Sequence, residues 1–465
     1  MYTFIFDIGK TNIKSLVLNE QGNTIWSEST ANNSITGHGY TYIDVEAAEK
    51  WLIQQLTKAQ QQYAISAINV TTHGACAVLL NQQDELVLPV LDYEDPIVES
   101  CNAKYNKIRP AFDLTHSPNL SAGLNLGRQL FWLKESFAEK FKQIDTVLMY
   151  PQYWVWRLTG IKKNEVTSLG CHTDLWQPQQ QCYSSLVAEL ALTDAMPELV
   201  GADEVVGTLH PQVAQQTGIA TECKVYAGIH DSNASFARYL ADYMAESETL
   251  PAFTVVSTGT WIINMSMGAD ISQLDEKKDM LANVSVLKQP LGCARFMGGR
   301  EFEQICQLTG SQASDPMELC DIQNIIDQQV FAIPPFSSGS GPFHDKQGRI
   351  VNTPENGKAL ATLYVALMID YQLSQLKAKG DIVFGSISKK NPLLCQLIAQ
   401  MRPEQNVVLS GDDASTSKGA WVMSQWQNLT KQTTAAGKSK QTAIAAGIAG
   451  LTEYKQQWLK LAEAN

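Results

Sequence analysis

The sequence has no regular cysteine framework, no long apolar run and no excess of basic residues, and each absence excludes a class of protein. Its nine cysteines include no C-x-x-C pair. An odd number cannot be wholly paired within one chain, so reduced thiols are expected. Cys76, Cys223 and Cys395 stand in apolar contexts, where a free cysteine behaves as a small hydrophobe, and structural roles are favoured over catalytic ones. The longest apolar runs, such as residues 364–369, fall far short of the roughly 20 residues that span a bilayer. Asp7 interrupts the first apolar run and no basic segment precedes it, which argues against a secretory signal. Lys and Arg total 35 against 47 Asp and Glu, a formal charge of −12. Nucleic acids and anionic membranes attract basic surfaces, so neither is expected as the main partner. Together these absences predict a soluble, cytoplasmic protein. The seven histidines show no H-E-x-x-H spacing, which argues against a zinc site. His172-Thr173-Asp174 has no G-x-S-x-G elbow to make it part of a hydrolase triad.

What is present is an alternation of strands and helices. A chain of 465 residues exceeds a single hydrophobic core, so two or three domains are expected. Apolar residues make up 44% and charged residues 18%, with no low-complexity segment, which predicts a chain folded throughout. Residues 2–6 and 12–18 read as strands flanking a polar turn with one glycine, and residues 24–26 begin a third. Residues 44–62 read as a helix with Asp44 at its N-cap, and 67–71 as a buried strand ending at Thr72-His73-Gly74. Helices are expected over 125–142 and 151–158. The polar stretch 242–248 reads as the domain boundary. Beyond it, residues 253–265 repeat the strand-turn-strand outline, and a strand at 292–297 runs into Gly298-Gly299-Arg300 and a helix from Glu301. A long amphipathic helix over 357–379, strands at 381–384 and 407–409, and helices over 391–401 and 414–425 complete an α/β pattern.

Gly9-Lys10-Thr11 is not a nucleotide P-loop, because that motif requires a glycine where Phe4 stands. In a hairpin, Gly9 lets backbone amides approach a phosphate while Lys10 and Thr11 donate to its oxygens; an ordinary charged turn is the alternative. Ser257-Thr258-Gly259-Thr260 has the same chemistry. Two such hairpins are what a triphosphate would need, which favours phosphate binding for both. Gly228-Ile229-His230-Asp231 follows the strand 224–227, so Asp231 stands at a functional edge of an α/β layer. It reads either as a helix N-cap or as the carboxylate that takes a proton from an attacking hydroxyl. Asp7, also at a strand end, suits Mg²⁺ held through water. His73-Gly74 suits a sugar hydroxyl, with a satisfied structural histidine as the alternative.

In this order the motifs resemble the FGGY family of carbohydrate kinases, members of the sugar kinase, heat-shock and actin ATPase superfamily. Asp7-Ile8-Gly9-Lys10-Thr11-Asn12-Ile13-Lys14 is similar to the family's first phosphate hairpin. The run Tyr150-Pro151-Gln152-Tyr153 through Leu158-Thr159-Gly160 is similar to its "P-D-Y-L-x-x-x-L-T-G" helix, and Glu165-Val166-Thr167-Ser168 to its "E-x-T-x-A-S" element. Gly228-Ile229-His230-Asp231 resembles "G-G-x-H-D", Ser257 to Trp261 the second phosphate hairpin, and Phe384-Gly385-Ser386 with Asn391-Pro392 the adenosine turn.

The resemblance implies an α/β fold of two ribonuclease H-like (actin-like ATPase) domains with an interdomain cleft. It implies an N-terminal lobe over 1–246, with sugar site, catalytic base and first hairpin, and a C-terminal lobe over 247–465, with the ATP site and second hairpin. ATP and Mg²⁺ are the implied cofactors and a small-molecule sugar the implied partner; a homodimer is compatible with the sequence. Asp231 is the implied catalytic base. Gly9, Lys10, Thr11, Asn12, Ser257, Thr258, Gly259, Thr260, Gly385, Ser386 and Asn391 are implied on the nucleotide, His73, Gly74, His230 and Asp231 on the sugar, and Asp7 and Asp231 on the metal.

Three departures stand out. The adenosine turn has the single glycine Gly385. The family's "R-D-x-R" is replaced by Leu91-Asp92-Tyr93-Glu94-Asp95-Pro96, and its late "E-A-x-A-x-G-A-A" by Asp413-Ala414-Ser415-Thr416-Ser417-Lys418-Gly419-Ala420. The second hairpin with Gly298-Gly299-Arg300-Glu301-Phe302 is most similar to kinases of L-rhamnulose or L-fuculose. A pentulose (xylulose or ribulose) or polyol kinase is the alternative. Outside catalysis on sugars stand a sugar-sensing pseudokinase and an actin-like or heat-shock-like ATPase.

Overall fold

Phe4, Ile5, Phe6 and Ile8 are all buried in the first strand, β1 (Tyr2–Ile8). A strand without a solvent face belongs inside a sheet covered on both sides. It pairs antiparallel with β2 (Asn12–Leu18), which pairs antiparallel with β3 (Thr24–Ala31). The helix α1 (Val45–Gln60), capped by the Asp44 side chain accepting from Ala47 N, then crosses over, so β4 (Ile65–Thr72) returns parallel to β1. With β5 (Val205–Thr208) and β6 (Lys224–Tyr226) the order is β5-β6-β4-β1-β2-β3. The structure, a computed structural model, describes residues 2–247, 249–410, 415–431 and 440–464.

Register sets the functional edge of this sheet. Asp7 lies opposite Thr71 and Ile8 opposite Thr72, while the short pair Ile229–His230 lies opposite the same two residues from the other side. Asp7, His73 and Asp231 are thereby gathered where parallel strands end, the customary place for a ligand in an α/β sheet. The helix α2 (Tyr150–Thr159), started by Pro151 and ended by Gly160 at φ 76°, is almost wholly buried, with Trp154 edge-on to Phe6 at 5.4 Å.

Asp231 opens α3 (Asp231–Glu246) as its first residue, with His230 at the N-cap position, so the N-cap reading of Asp231 does not hold. The polar stretch expected to be the domain boundary is, up to Glu246, the end of α3, anchored by buried Ala241 and Tyr243, and the first unit's main segment ends just beyond it at Thr249; Glu248 lies outside the described residues. The helix expected over 125–142 is two, Leu126–Ser136 and Ala138–Phe141, interrupted where Phe137 leaves helical geometry at φ −135°.

A second sheet repeats the order of the first. The strands β7 (Phe253–Thr258), β8 (Ile262–Met267) and β9 (Pro290–Phe296) are antiparallel neighbours, the strand Met280–Val284 forms the edge beside β9, and β10 (Asp381–Phe384) and β11 (Val407–Leu409) add parallel strands beyond β7, so that inward from that edge strand the order is β9-β8-β7-β10-β11. Packed with it are α4 (Gly298–Leu308), α5 (Gly357–Gln375) and α6 (Pro392–Met401). The sequence pattern suggested an amphipathic α5, yet Ala359 through Leu373 are buried without a break, as in a helix enclosed by its neighbours.

The chain forms two compact units, one of Met1–Thr249, Ala282–Pro290 and Ala414–Thr434, the other of Leu250–Leu281, Leu291–Asp413 and Ala435–Asn465. A single boundary near residue 246 leaves the two later exchanges unaccounted for. The helix α7 (Ser415–Lys431), expected over 414–425, therefore folds with the first unit; Asp413 and Ala414 lie outside the described residues. No helix among the described residues is long and apolar enough to cross a membrane.

Candidate active site

The edge of the first sheet combines two carboxylates, two buried imidazoles and a lysine. Asp7 is half-buried, and Ser417 Oγ on α7 donates to its Oδ2 at 2.6 Å. Burial raises the Asp7 carboxyl to about 6, opposed by that hydrogen bond; the Asp231 charge adds to the rise and Lys14 opposes it. His73 donates from Nδ1 to Gly74 O at 2.9 Å, which leaves Nε2 as a lone-pair acceptor. That atom is buried and has no partner among the described residues. Burial holds both His73 and His230 below the ordinary histidine range, so each is a neutral imidazole near pH 7. His230 is turned toward Asp231 and Asn233, with its Nε2 3.2 Å from Asp231 Oδ1. The Asp231 side chain itself is about one-third exposed (32%), open enough to meet a ligand.

The first hairpin closes through Gly9 N donating to Asn12 O at 2.9 Å, and Asn32 braces it by donating to Gly9 O and Thr11 O. Thr11 and Asn12 are exposed at its tip. Lys10, expected to point at phosphate, pairs instead with Asp92 Oδ2 at 2.5 Å; Ser34 Oγ donates to the same oxygen. Burial alone would raise the Asp92 carboxyl, but these donors outweigh it and hold the group below its ordinary range. Asp92, within the stretch that replaces the family's R-D-x-R, thus has a structural partner, Lys10, in a hairpin 82 residues away.

Several residues not assigned to the site from the sequence hold this edge in place. Asn69 donates to Ala420 O at 2.8 Å and accepts from Gly228 N at 3.2 Å, and Gln152 donates to Ala227 O at 2.8 Å, which fixes the loop ahead of Asp231. Glu165 is fully buried and accepts from Thr167 N at 2.9 Å and Thr167 Oγ1 at 2.5 Å. Burial raises its carboxyl to about 7 despite these bonds. A carboxyl raised above its unfolded value of 4.5 contributes stability that is complete below that value and is lost as pH rises through about 7. Between pH 4.5 and 8 the wild type should therefore lose on the order of 3 kcal/mol of unfolding free energy relative to Glu165→Gln. Urea titrations of both proteins across that range check this, and parallel profiles would remove Glu165 as the titrating group.

In the second unit, Thr258 and Gly259 of the second hairpin and Ser386 and Asn391 after β10 line one cavity of about 380 Å³. Ile262, Phe302 and Leu394 give it apolar walls of the kind that accept a planar base. Ser257, Thr260 and Gly385, expected in the same group, are not among its lining residues. Asn391 is already engaged as the N-cap of α6, accepting from Leu394 N at 3.3 Å and donating to Thr362 Oγ1 at 3.1 Å. The floor depends on Gly299: its N–H donates to Thr260 O at 3.2 Å, and a Cβ there would overlap the Gly259 carbonyl. Gly299→Ala should displace the hairpin and, with the cavity taken as the nucleotide site that the sequence resemblance implies, raise the KM for ATP about tenfold or more, a loss of roughly 1.4 kcal/mol in binding. An unchanged KM would show that the hairpin tolerates the shift.

The chain belongs to the FGGY family of carbohydrate kinases. Residues 2–237 match the N-terminal domain of that family and residues 250–455 its C-terminal domain. The crystal structure of a carbohydrate kinase from Novosphingobium aromaticivorans superimposes with a TM-score of 0.89 at 30% identity, covering 99% of this chain and 98% of that one. An L-fuculokinase from Escherichia coli is 25% identical over 276 residues, 57% of each chain. A xylulose kinase from Bacillus subtilis is 24% identical over 244 residues, 50% of this chain and 48% of that protein. The matched stretches span about half the length of these two relatives. The fold is the two-domain mixed α/β architecture of FGGY sugar kinases, ribonuclease H-like and actin-like.

Proposed function

We propose that this protein transfers the γ-phosphate of ATP to a hydroxyl of a ketose, with Asp231 as the general base. The observation that supports this most directly is the pairing, at one sheet edge, of a partly exposed carboxylate with a buried, unpartnered imidazole acceptor, His73 Nε2. A buried acceptor without a partner costs free energy until a donor reaches it, and a sugar hydroxyl is such a donor. With His73, Gly74 and His230 around the sugar, Asp231 takes the proton of the attacking hydroxyl.

In this reading the first unit carries the sugar and the base, with α7 returning to it, and the second unit carries the nucleotide. Gly9, Lys10, Thr11 and Asn12 face phosphate from one hairpin, and Ser257, Thr258, Gly259 and Thr260 from the other. Gly385, Ser386 and Asn391 lie beside the adenosine, for which the 380 Å³ cavity has room. Lys10 divides its ammonium between Asp92 and phosphate.

Asp7 and Asp231 fit a hydrated Mg²⁺: they lie within electrostatic reach of each other, and Asp7 is raised by burial rather than neutralised by an ion pair. No cluster of three metal-ligating side chains occurs among the described residues, as suits an ion that keeps much of its water. Bound there, Mg²⁺ would neutralise charge on the phosphates.

For the acceptor we propose a deoxyketohexose such as L-rhamnulose or L-fuculose, a reading that the L-fuculokinase relatives support. The xylulose kinase relatives favour a pentulose as the second reading. ADP release measured with MgATP across ketohexoses, ketopentoses and polyols decides between them. We expect the highest kcat/KM on a 6-deoxyketohexose, by about tenfold or more over xylulose, the discrimination that about 1.4 kcal/mol provides. Sugar binding without product would instead mark a pseudokinase, and hydrolysis stimulated by a protein but by no sugar would mark a heat-shock-like ATPase.

A further inference from the structure

The polar side chains that line the cavity of the second unit are not equally free to meet a ligand. Asn391, the one implied on the nucleotide, spends its amide oxygen on Leu394 N and its amide nitrogen on Thr362 Oγ1. Lys358 Nζ donates to Asp315 O at 2.6 Å. Glu303 differs from both. It lines the cavity, is exposed, and takes part in no hydrogen bond or ion pair among the described residues. Arg300, three residues earlier on α4 and spaced to pair with it, donates instead to Met297 Sδ at 3.7 Å.

A carboxylate left unpaired beside a nucleotide is repelled by the phosphates unless the same ligand gives it hydrogens to accept. ATP has such hydrogens on the amino group of its base and on its ribose hydroxyls. The base belongs among the apolar walls of Ile262, Phe302 and Leu394, whereas Glu303 stands exposed at the mouth. The ribose joins a buried base to the phosphates, so it passes that mouth. Along α4, Glu303 lies one turn, roughly 6 Å, beyond Gly299, whose N–H is bonded to the second hairpin at Thr260 O. The two oxygens of a carboxylate match two neighbouring hydroxyls, as where an acidic residue holds the ribose of a dinucleotide.

We propose that Glu303 accepts hydrogen bonds from the ribose hydroxyls and so makes this kinase select ribonucleoside over deoxyribonucleoside triphosphates. The proposal rests on the reading of the cavity as the adenosine site. Nothing in the local sequence marks Glu303, since an acid on a helix ordinarily faces water; its place on the cavity and its lack of a partner single it out.

Calorimetric titration of the full chain with the magnesium salts of ATP, 2′-deoxy-ATP and 3′-deoxy-ATP tests this. Wild type should bind ATP about tenfold or more tighter than either deoxynucleotide, as a site built for a hydroxyl rejects the analogue that lacks it. Glu303→Ala, at an exposed position where the fold tolerates change, should weaken ATP about tenfold and the deoxynucleotides less, bringing the three affinities together. Glu303→Gln, which keeps one acceptor, should lie between. A Glu303 that met no donor would give the opposite sign, because Glu303→Ala would relieve repulsion and tighten ATP. That result, an equal loss for all three nucleotides, or a wild type with no ribose preference overturns the proposal. So does a loss that follows the base, seen as a preference for ATP over purine riboside triphosphate that vanishes in Glu303→Ala while the ribose preference stays. Ala313→Trp tests the reading beneath it, since Ala313 is exposed on the same cavity and the indole would fill the mouth. It should weaken ATP about tenfold or more. ATP bound by Ala313→Trp as tightly as by wild type overturns the cavity as the nucleotide site, and the proposal with it; ATP weakened there, with no ribose preference in the wild type, overturns the proposal alone.

Discussion

Asp231→Asn is expected to lower kcat for phosphoryl transfer by about 10²- to 10⁴-fold, the range that positioned proton transfer contributes, with nucleotide affinity unchanged. Asparagine keeps the shape of the side chain, and its carbonyl oxygen can still accept from Ser232 N and Ser232 Oγ, which converge on Oδ1. The helix α3 therefore keeps its first turn, and a folding defect does not explain the loss. What the amide lacks is a basic atom at the second position. The cavity proposed for the nucleotide, lined by Thr258, Gly259, Ser386 and Asn391, contains nothing contributed by Asp231. Steady-state kinetics and ATP titration on the same preparation separate the two quantities. If Asp231→Asn lost nucleotide binding while residual transfer ran at the normal rate, the base would have to lie elsewhere.

Gly419→Val is expected to be strongly destabilising although it lies outside the reacting groups. Gly419 sits in α7 at its crossing with α3, and a Cβ built there falls inside the Ala234 carbonyl oxygen and 3.0 Å from Ala234 Cα. The obstacle is backbone, which cannot rotate aside as a side chain does. Around it, Thr416 and Ser235 share a hydrogen bond at 3.0 Å, Asn69 donates to Ala420 O, and Ser417 donates to Asp7. Forcing the helices apart would strain or break these bonds together. Overpacking of this kind costs about 3 kcal/mol or more. At the few degrees per kcal/mol of a unit this size, the melting temperature should fall by about 6–12 °C. Transfer should fall as well, because α3 begins at Asp231 and α7 holds Asp7. Scanning calorimetry and kcat on the purified variant measure both, and a wild-type melting temperature would mean that the crossing is looser than this packing implies.

The site was legible in the sequence wherever its chemistry lies within a few consecutive residues. Both hairpins, the strand-end Asp231 and His73-Gly74 were found because a turn between two strands, or a polar residue after an apolar run, is a local pattern. Lys10 shows where that ends. Its charge and its place in the hairpin were plain, but its partner is Asp92, and no spacing rule connects the two. Asn69 reads as an interruption in a buried strand, and only its bonds to Gly228 and Ala420 show why an amide belongs there. Glu165 was noticed as part of a motif, while its burial and its link through Thr167 to His230 N had no signature. The stretch 242–248 marks the end of the first unit's main segment, as its polarity suggests, but up to Glu246 it is the last turn of a helix rather than a loop, which buried Tyr243 shows only once packing is known.

The sequence alone determined the alternation of strands and helices, the two strand-turn-strand units, the likeness to the carbohydrate kinases and the residue types available at each turn. These follow from side-chain periodicity and turn chemistry, which act over a few residues. Tertiary structure alone decided which of those residues share an edge. It brought residues 415–431 back to the first unit, placed Ser417 on Asp7 across 410 residues of chain, and turned His230 toward Asp231. Such pairings are set by sheet register and by the burial of whole faces, sums over many weak contacts between distant segments, and no short stretch of sequence carries them.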